Sequence, residues 1–333
     1  MPEVLVLGAN GHLGRNLVET LLKKGYSVRA GVRSLLHPLP IWEGRSAEVV
    51  QVDILDGASL DQAMYGVEGV FHCAAPTALW AKDARKEIAA PILRGTLEVI
   101  EAAHRQGVKK ILYTSTCAAI GFHAPKGSVL TEIDWNRETQ HPQFKSKVEA
   151  ELQGGKLAKK YGISFVRVCP PSILGPGFYR STPSTAPYVG WINGKKIAVP
   201  DLAYHVVDVR DLAKSQLHLY EMADVQDRYI VCGPYTGTQE VIDILRRGMP
   251  LLKNPILLSS RMLPIAWGLE WIQRQVTGTP RTLTRTLIRE CGSATQQLDG
   301  SRFLATCEPG WAFTPLETTL WDMVHWIQRS KIH

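Results

Sequence analysis

Gln143 and Lys147 lie four residues apart in HPQFKSKVEAE, residues 141–151, directly after a proline. Side chains four residues apart share one face of a helix, so both could contact the same bound molecule. A lysine ammonium can release a proton, whereas a glutamine amide donates hydrogen bonds but gives up no proton at neutral pH. The pair therefore predicts a site that binds oxygen atoms and takes any proton it needs from another group.

Three glycines follow the first apolar run in VLVLGANGHLGRNL, residues 4–17. Glycines between a strand and a helix permit a tight turn, the close approach of a pyrophosphate and close packing of the helix. The N-terminus of such a helix offers free N–H groups and a positive dipole end to phosphates. Because the stretch also opens a βαβ unit, the pattern indicates a dinucleotide site. The residues predicted to contact the cofactor here are Gly8, Asn10, Gly11, His12, Leu13 and Gly14.

The end of the second predicted strand, SVRAGV, bears on the choice between NAD and NADP. Val32 occupies the position where NAD-binding proteins commonly carry an acid, and Arg33 follows it. A guanidinium suits a 2′-phosphate, so these residues favour NADP, with Arg33 as the contact. Arg29 lies within the strand and is expected to be a surface residue. Asp53 ends the third strand, where it either accepts a hydrogen bond from adenine or caps the helix that begins near Gly57.

Apolar runs of strand length alternate with helical patterns over the first 170 residues. The runs are rich in β-branched residues and apolar on both faces, which indicates a parallel sheet covered by helices on each side. They occupy residues 3–8, 27–32, 47–53, 69–74, 109–116 and 163–170. We therefore predict an α/β fold with a doubly wound parallel sheet in residues 1–170. Residues 171–333 are expected to form mostly a smaller α/β substrate lobe, partly interleaved with that sheet.

Composition and charge argue against several classes of protein. The chain has 333 residues, 45% of them hydrophobic, but no apolar run long enough to span a membrane. Its net charge of +7 is dispersed, which argues against a nucleic-acid partner. Its six cysteines show no CxxC spacing, so no metal site is expected. The N-terminus lacks the basic and cleavage regions of a signal peptide, and a cytoplasmic location is expected.

The segment MLPIAWGLEWIQRQV, residues 262–276, is strongly apolar and contains two of the nine tryptophans. A helix lying on a membrane surface is one interpretation. Its only charges are Glu270 and Arg274, and it contains a proline, so a buried helix or a lid is favoured. We therefore expect a small-molecule substrate and no membrane partner.

Seven motifs occur in the same order as in a known family: GANGHLG, GYSVRAGVRS, VFHCAAP, ILYTSTCAAIG, VRVCPPSILGPG, HVVDVRDLA and RYIVCG. On these motifs the chain resembles the extended short-chain dehydrogenases/reductases of the NAD-dependent epimerase/dehydratase superfamily. Within that group it is similar to dihydroflavonol and cinnamoyl-CoA reductases. It also resembles hopanoid-associated sugar epimerases and 3β-hydroxysteroid dehydrogenases. The resemblance covers most of the chain and implies a Rossmann fold.

The resemblance also implies where catalysis takes place. The family uses a serine or threonine after the fifth strand together with a YxxxK pair on the next helix. Thr116 falls on the first position and Lys147 on the lysine, whereas Gln143 stands where the family carries its tyrosine. Ser115, beside Thr116 on a strand, should point the other way. The proton that tyrosine would supply then has four candidate sources: Tyr179, His141, His123 or a water molecule relayed to Lys147.

Further contacts are implied by position in the family pattern. Residues expected near the cofactor are Ile54, Ala74, Ala75, Lys147, Pro170 and Ser172. Residues expected at the substrate, besides Thr116 and Gln143, are Trp80, Phe178, Tyr179, Tyr188 and Trp191, and packing in the core is the alternative for each of these aromatic residues. Capping is favoured over catalysis for Asp208 and Asp211. Relatives pair through helices corresponding to residues 92–104 and 143–159, so a homodimer is possible.

The activity expected from these residues is NADPH-dependent oxidation or reduction of a ketone, enone or related group on a small hydrophobic metabolite. Because Gln143 cannot act as an acid, two alternatives stay open. One is a redox-neutral isomerase, dehydratase or cyclase on the same scaffold. The other is a catalytically inactive protein that binds the cofactor.

Overall fold

A computed structural model of the protein describes residues 2–35, 47–123, 128–194, 198–277, 284–292, 296–330 and 332. Within these residues, seven parallel strands form the central sheet in the order β10-β6-β5-β4-β1-β2-β3. The strands are β1 (Glu3–Leu7), β2 (Ser27–Val32), β3 (Glu48–Gln51), β4 (Gly69–His72), β5 (Lys110–Thr114), β6 (Ser164–Cys169) and β10 (Arg228–Ile230). The six strands predicted in the first 170 residues are all present. The predicted α/β class and doubly wound parallel sheet are confirmed.

Helices cover both faces of this sheet, which is why its central strands are apolar on both sides. One face carries α1 (His12–Lys24) and α6 (Val209–Glu221), whose apolar side chains share a core with β1 and β2. The other carries α2 (Gly57–Met64), α3 (Ala90–Arg105) and α4 (Pro142–Tyr161). A single π-helical turn, Arg85–Ala89, leads into α3. Two residues set the bounds of α4: Pro142 stands in its first turn, and Gly162 ends it at φ +66°.

The C-terminal half forms a smaller lobe. A three-stranded sheet contains β7 (Ser172–Leu174), β9 (Ala203–Asp208) and β11 (Tyr235–Gly237), and a two-stranded sheet pairs β8 (Ala198–Pro200) with β12 (Ile256–Leu258). Its helices are α5 (Ala186–Ile192), α7 (Thr238–Gly248), α8 (Leu263–Thr277), α9 (Arg285–Cys291), α10 (Ser301–Leu304) and α11 (Leu316–Ser330). Strand β10 returns from this half to pair with β6 in the main sheet. The division of the chain at residue 170 stays a prediction.

Asp208 caps α6, as predicted, by accepting a hydrogen bond from the backbone N–H of Arg210. The same carboxylate accepts bonds from the Arg210 guanidinium and from the hydroxyl of Thr319 on α11. These bonds hold the pKa of Asp208 below its ordinary value despite its burial. Asp211 accepts a hydrogen bond from the backbone of Thr314. Both carboxylates therefore join α6 to neighbouring segments.

Helix α8 differs from its prediction. Leu263 is buried, but Ile265, Leu269 and Ile272 are mostly exposed, so the alternative of a buried helix is wrong, whereas the alternative of a lid stays a prediction. The helix packs on α9. Periodicity misses this because an apolar stripe shows that a face avoids water without showing what covers it. Among the described residues, none of the helices is long and apolar enough to cross a membrane.

Candidate functional site

A cavity of about 1320 Å³ lies beyond the carboxyl ends of β1, β4, β5 and β6. In open α/β sheets this edge is where ligands bind. The cavity brings together every residue predicted to contact the cofactor: Gly8, Asn10, Gly11, His12, Leu13, Gly14, Arg33, Asp53, Ile54, Ala74, Ala75, Lys147, Pro170 and Ser172. The individual contacts with a cofactor stay predictions.

The glycine-rich turn leaves no room for side chains. A Cβ on Gly14 would lie 2.1 Å from the carbonyl oxygen of Gly8, and one on Gly8 would lie 2.9 Å from the backbone of Ala74. Gly8 also has a φ of +83°, which disfavours other residues. In the described structure no side chain caps α1 and no acidic residue occupies its first turn. The helix N-terminus therefore presents free N–H groups, which fits a pyrophosphate.

Helix α1 also contacts the loop that follows β7. The Nε2 of His12 lies 3.1 Å from the carbonyl oxygens of both Gly175 and Pro176. Burial lowers the pKa of His12 to about 4, so the ring is neutral and Nε2–H is the donor. Asn16 donates a second bond to Pro176 at 3.1 Å. This link between the cofactor helix and the substrate loop gave no signal in the sequence, because His12 lies inside the glycine motif.

The two arginines of β2 and its following turn lie in different surroundings. Arg33 is exposed and lines the cavity. Arg29 pairs with Glu3 at 3.0 Å and with Glu48 at 3.1 Å, and it also donates to backbone oxygens. The structure thus leaves Arg33 available for an anion, whereas Arg29 already has carboxylate partners.

Asp53 lies at the cavity and does not cap α2. Its Oδ1 accepts a hydrogen bond from the backbone of Leu55 at 2.9 Å. The N-cap of α2 is Asp56, which accepts from the backbone of Ala58 at 3.1 Å. The capping alternative for Asp53 is therefore wrong, since a second aspartate three residues later takes that position.

Lys147 is buried at the inner wall of the cavity. Its Nζ donates to the carbonyl oxygen of Thr114 at 2.7 Å and lies 4.5 Å from the centroid of the Tyr113 ring. Burial lowers its pKa to about 8, although the carboxylate of Glu151 opposes the shift. An ammonium with this pKa holds its proton at neutral pH and can exchange it.

Gln143 and Thr116 line the same cavity as Lys147. The amide nitrogen of Gln143 donates to the carbonyl oxygen of Pro76 at 3.2 Å, which orients the amide. An amide nitrogen carries two hydrogens, so one stays available. The Thr116 oxygen accepts from the backbone of Ala118 at 3.2 Å, which leaves the hydroxyl hydrogen available as well. The site thus offers two neutral donors beside an ammonium.

Ser115 follows the end of β5 and is among the residues that line the cavity. It is buried and donates a short hydrogen bond to the carboxylate of Glu151. Glu151 also pairs with Arg228 at 2.7 Å, and both side chains are buried. Arg228 comes from β10, so the C-terminal half supplies the counter-ion beneath the site. Sequence analysis missed this ion pair, because 76 residues separate the two positions and no local pattern joins them.

The candidate proton donors differ in whether they line the cavity. His141 is fully buried, its ring stacks on Phe144 at 4.2 Å, and burial lowers its pKa. His123 lies 3.1 Å from the backbone oxygen of Glu290. Neither histidine is among the described residues that line the cavity, whereas Tyr179 and Lys147 are. Direct proton transfer from the cavity wall is thus open to Tyr179 and Lys147.

Three of the aromatic residues predicted to contact substrate lie elsewhere. Phe178 is buried against the ring of His12, 5.1 Å away, and the hydroxyl of Tyr188 bonds that of Tyr204 within the lobe. Neither they nor Trp80 belong to the described cavity lining, and their contact with a substrate stays a prediction. The cavity lining also includes residues that the sequence did not single out as contacts: Phe122, Phe144, Leu202, Leu263, Leu287, Ile288, Cys291 and Gln296.

Comparison with known protein families shows which family the chain belongs to. The family described as NAD dependent epimerase/dehydratase matches residues 4–232, well over half of the chain. The chain belongs to the NAD dependent epimerase/dehydratase family. Its membership confirms the predicted resemblance to extended short-chain dehydrogenases/reductases and the class of NAD(P)-dependent oxidoreductases.

Curated relatives in this family include reductases. Dihydroflavonol 4-reductase of Callistephus chinensis is 32% identical over 248 residues, which cover 69% of this chain and 68% of the relative. Cinnamoyl-CoA reductase 1 of Oryza sativa subsp. japonica is 30% identical over 262 residues, covering 74% and 76%. Among solved structures, yeast methylglyoxal/isovaleraldehyde reductase Gre2 complexed with NADPH superposes with a TM-score of 0.75. It shares 20% identity, and the match covers 99% of each chain. The last likeness is one of fold.

Proposed function

We propose that the protein is an NADPH-dependent reductase of a ketone, enone or related group on a small hydrophobic metabolite. The observation that carries the proposal is the single cavity that joins the glycine-rich turn and Arg33 to Thr116, Gln143 and Lys147. The relatives that match two thirds or more of the chain are themselves named as reductases.

Each residue has a role in this proposal. Arg33 binds the 2′-phosphate through its guanidinium, and the N-terminus of α1 binds the pyrophosphate. Lys147 donates to the nicotinamide ribose, beside its existing bond to Thr114. When bound, NADPH supplies the hydride. Thr116 and Gln143 donate to the substrate oxygen and stabilise the negative charge that develops there.

The donors at the reacting end favour an enone over an isolated ketone. Hydride addition to a ketone concentrates charge on one oxygen, which needs a proton, and general acids typically contribute about 10²–10⁴ in rate. Addition to the β-carbon of an enone delocalises the charge over an enolate, which two neutral hydrogen bonds can stabilise until solvent protonates the carbon. For a ketone, Lys147 or Tyr179 would supply the proton, and we expect that reduction to be slower than the reduction of an enone.

A redox-neutral reaction is the second candidate, favoured by Gln143 alone. A site without a tyrosine acid can still bind a cofactor and orient a substrate for isomerisation or elimination. A cofactor-binding protein without activity is the third. Both alternatives keep the cofactor site and, unlike the reductase, show no net consumption of NADPH; they differ from each other in whether a substrate is converted.

The first test is a fluorescence titration of the purified protein with NADPH and with NADH. Tight NADPH binding and much weaker NADH binding are expected, and failure to bind either overturns the proposal. The second test follows the absorbance of NADPH with matched enones and ketones. Faster oxidation with enones is expected, and no consumption with any of them favours the redox-neutral or inactive alternatives.

Gln143→Tyr is the informative variant for the chemistry. A tyrosine beside Lys147 would restore an acid, so reduction of simple ketones should rise while NADPH affinity changes little. Gln143→Leu is the matched control, because it removes the amide without adding an acid. If both variants leave ketone reduction unchanged, the pocket serves a different reaction.

Two expectations about assembly and location remain part of the proposal. We propose pairing of two copies through α3 and α4, and a cytoplasmic location. Size-exclusion chromatography with light scattering tests the first, and fractionation of cells that express the protein tests the second. A monomer at micromolar concentration would contradict the pairing.

A further inference from the structure

Helix α8 exposes a contiguous apolar face. The exposed fractions of Ile265, Leu269 and Ile272 are 66%, 64% and 58%, and their spacing places them on one side of the helix. Trp271, 44% exposed, lies about 100° around the helix from Ile272, on the flank of this face, and Met262, 42% exposed, precedes the helix. Single exposed apolar side chains are ordinary, but a contiguous patch on a surface helix marks a contact with something apolar.

The inner side of the same helix belongs to the substrate end of the cavity. Leu263 lines it, together with Leu287 and Ile288 from the neighbouring helix α9. Leu263 also lies against Gly292, where a Cβ would come within 3.0 Å of its side chain. The exposed patch therefore begins two residues after the α8 residue that lines the cavity.

The charge around the patch is positive. Residues 261–292 contain five arginines and two glutamates. Arg261 and Arg289 are exposed, and the Arg285 guanidinium lies 4.4 Å from the centroid of the Trp267 ring. Glu290 faces inward, since it accepts bonds from the Thr139 hydroxyl and the backbone of Gln140. Arg289 also pairs with Glu290 at 3.9 Å but stays 67% exposed, so the surface beside the apolar patch presents guanidinium groups.

We propose that α8 docks on the surface of an anionic phospholipid bilayer. Its apolar face enters the boundary between headgroups and acyl chains, Trp271 lies at that boundary, and the arginines contact lipid phosphates. The proposal departs from the expectation of no membrane partner, because that expectation assumed a buried helix. A second copy of the chain is a poorer occupant, since a symmetric contact would place two positive segments against each other.

Co-sedimentation with vesicles tests the proposal directly. The probe is phosphatidylcholine vesicles with and without phosphatidylglycerol. Binding to the phosphatidylglycerol vesicles is expected, with a decrease at high salt as the arginine–phosphate attraction is screened. Blue-shifted tryptophan fluorescence on binding, diminished in Trp271→Phe, would place α8 at the bilayer. Absence of binding to either vesicle overturns the proposal.

The double variant Ile265→Ser/Leu269→Ser should weaken the partitioning about tenfold for each side chain removed. The matched control is Leu251→Ser/Ile133→Ser, which removes two apolar side chains that are 98% and 76% exposed outside α8. Equal binding by the two double variants refutes docking through α8. If the protein binds no vesicles but forms a dimer that only the α8 variant dissociates, the partner of α8 is a second copy of the chain and the bilayer proposal is wrong.

NADPH titration of the α8 variant keeps this test separate from the proposed reaction. The variant residues are exposed and outside the described cavity lining, so NADPH affinity should equal that of the unmodified protein. Circular dichroism confirms the fold. The vesicle experiment therefore tests membrane docking independently of the enzyme assays.

Discussion

Replacing Arg33 by alanine should weaken NADPH binding and leave NADH binding unchanged. The side chain lines the cavity at the end of β2, where the ribose of a dinucleotide held by the turn at Gly8–Gly14 would carry its 2′-phosphate. NADH lacks that phosphate, so its complex loses nothing when the guanidinium is removed. The variant therefore tests the cofactor preference and the docking of the cofactor together.

The size of the effect follows from the exposure of Arg33. Charge-assisted hydrogen bonds from a guanidinium to a phosphate are among the stronger ones, but solvent screens an exposed pair. We take about 1.4–2.8 kcal/mol for a two-bond contact at such a position, which corresponds to about a 10- to 100-fold increase in Kd for NADPH. Raising the ionic strength should reduce the difference between the two proteins.

Arg29→Ala is the matched control. Arg29 is the same residue type, four positions earlier in the chain, but Glu3 and Glu48 pair with its guanidinium. Removing it should lower stability slightly and leave the Kd for NADPH unchanged. Fluorescence titration of both variants with both cofactors makes the comparison. An unchanged NADPH affinity in Arg33→Ala, or an equal loss with NADH, refutes the assignment.

Three further perturbations address the rest of the site. Gly14→Ala places a Cβ 2.1 Å from the Gly8 oxygen, so thermal stability and NADPH affinity should both fall, and an unaltered affinity would contradict the turn's role. Lys147 binds in its protonated form, so NADPH affinity should decline as pH rises through about 8, and Lys147→Arg should move that decline to higher pH. Glu151→Gln leaves the buried Arg228 unpaired and should cost about 3–5 kcal/mol in urea unfolding; a loss below about 1 kcal/mol would show that the pair matters little.

The fold was predictable because its signals are local. Apolar runs separated by helical patterns locate parallel strands, and the glycine motif orders the first βαβ unit. The predicted ends of the strands were less accurate than their positions in the sequence. The predicted strand 109–116 ends at Thr114, because Thr116 leaves the strand and caps the short 3₁₀ turn Cys117–Ala119. Such ends depend on side-chain capping that a run of apolar residues does not show.

The cofactor wall could be predicted for a related reason, whereas the substrate wall could not. Cofactor residues follow strand ends, and strand order fixes where those ends meet. The substrate end depends on which way loop aromatics turn. Phe178 packs on His12 and Tyr188 bonds Tyr204, so both leave the cavity to residues of α8 and α9. Residue type alone does not reveal such orientations.

Gln143 has a structural role that does not depend on the reaction. Its amide nitrogen bonds the backbone of Pro76, in the loop after β4 that lines the cavity. Lys147, one turn later, bonds the backbone of Thr114 at the end of β5. Helix α4 is thus tied to two neighbouring strand ends by two donors of fixed direction. A tyrosine hydroxyl carries one hydrogen and could not donate to Pro76 and to a substrate oxygen together, as the two hydrogens of the Gln143 amide could. Compared with a tyrosine, the glutamine therefore offers a hydrogen bond of fixed direction and no proton. Such a donor would suit a delocalised anion better than an alkoxide.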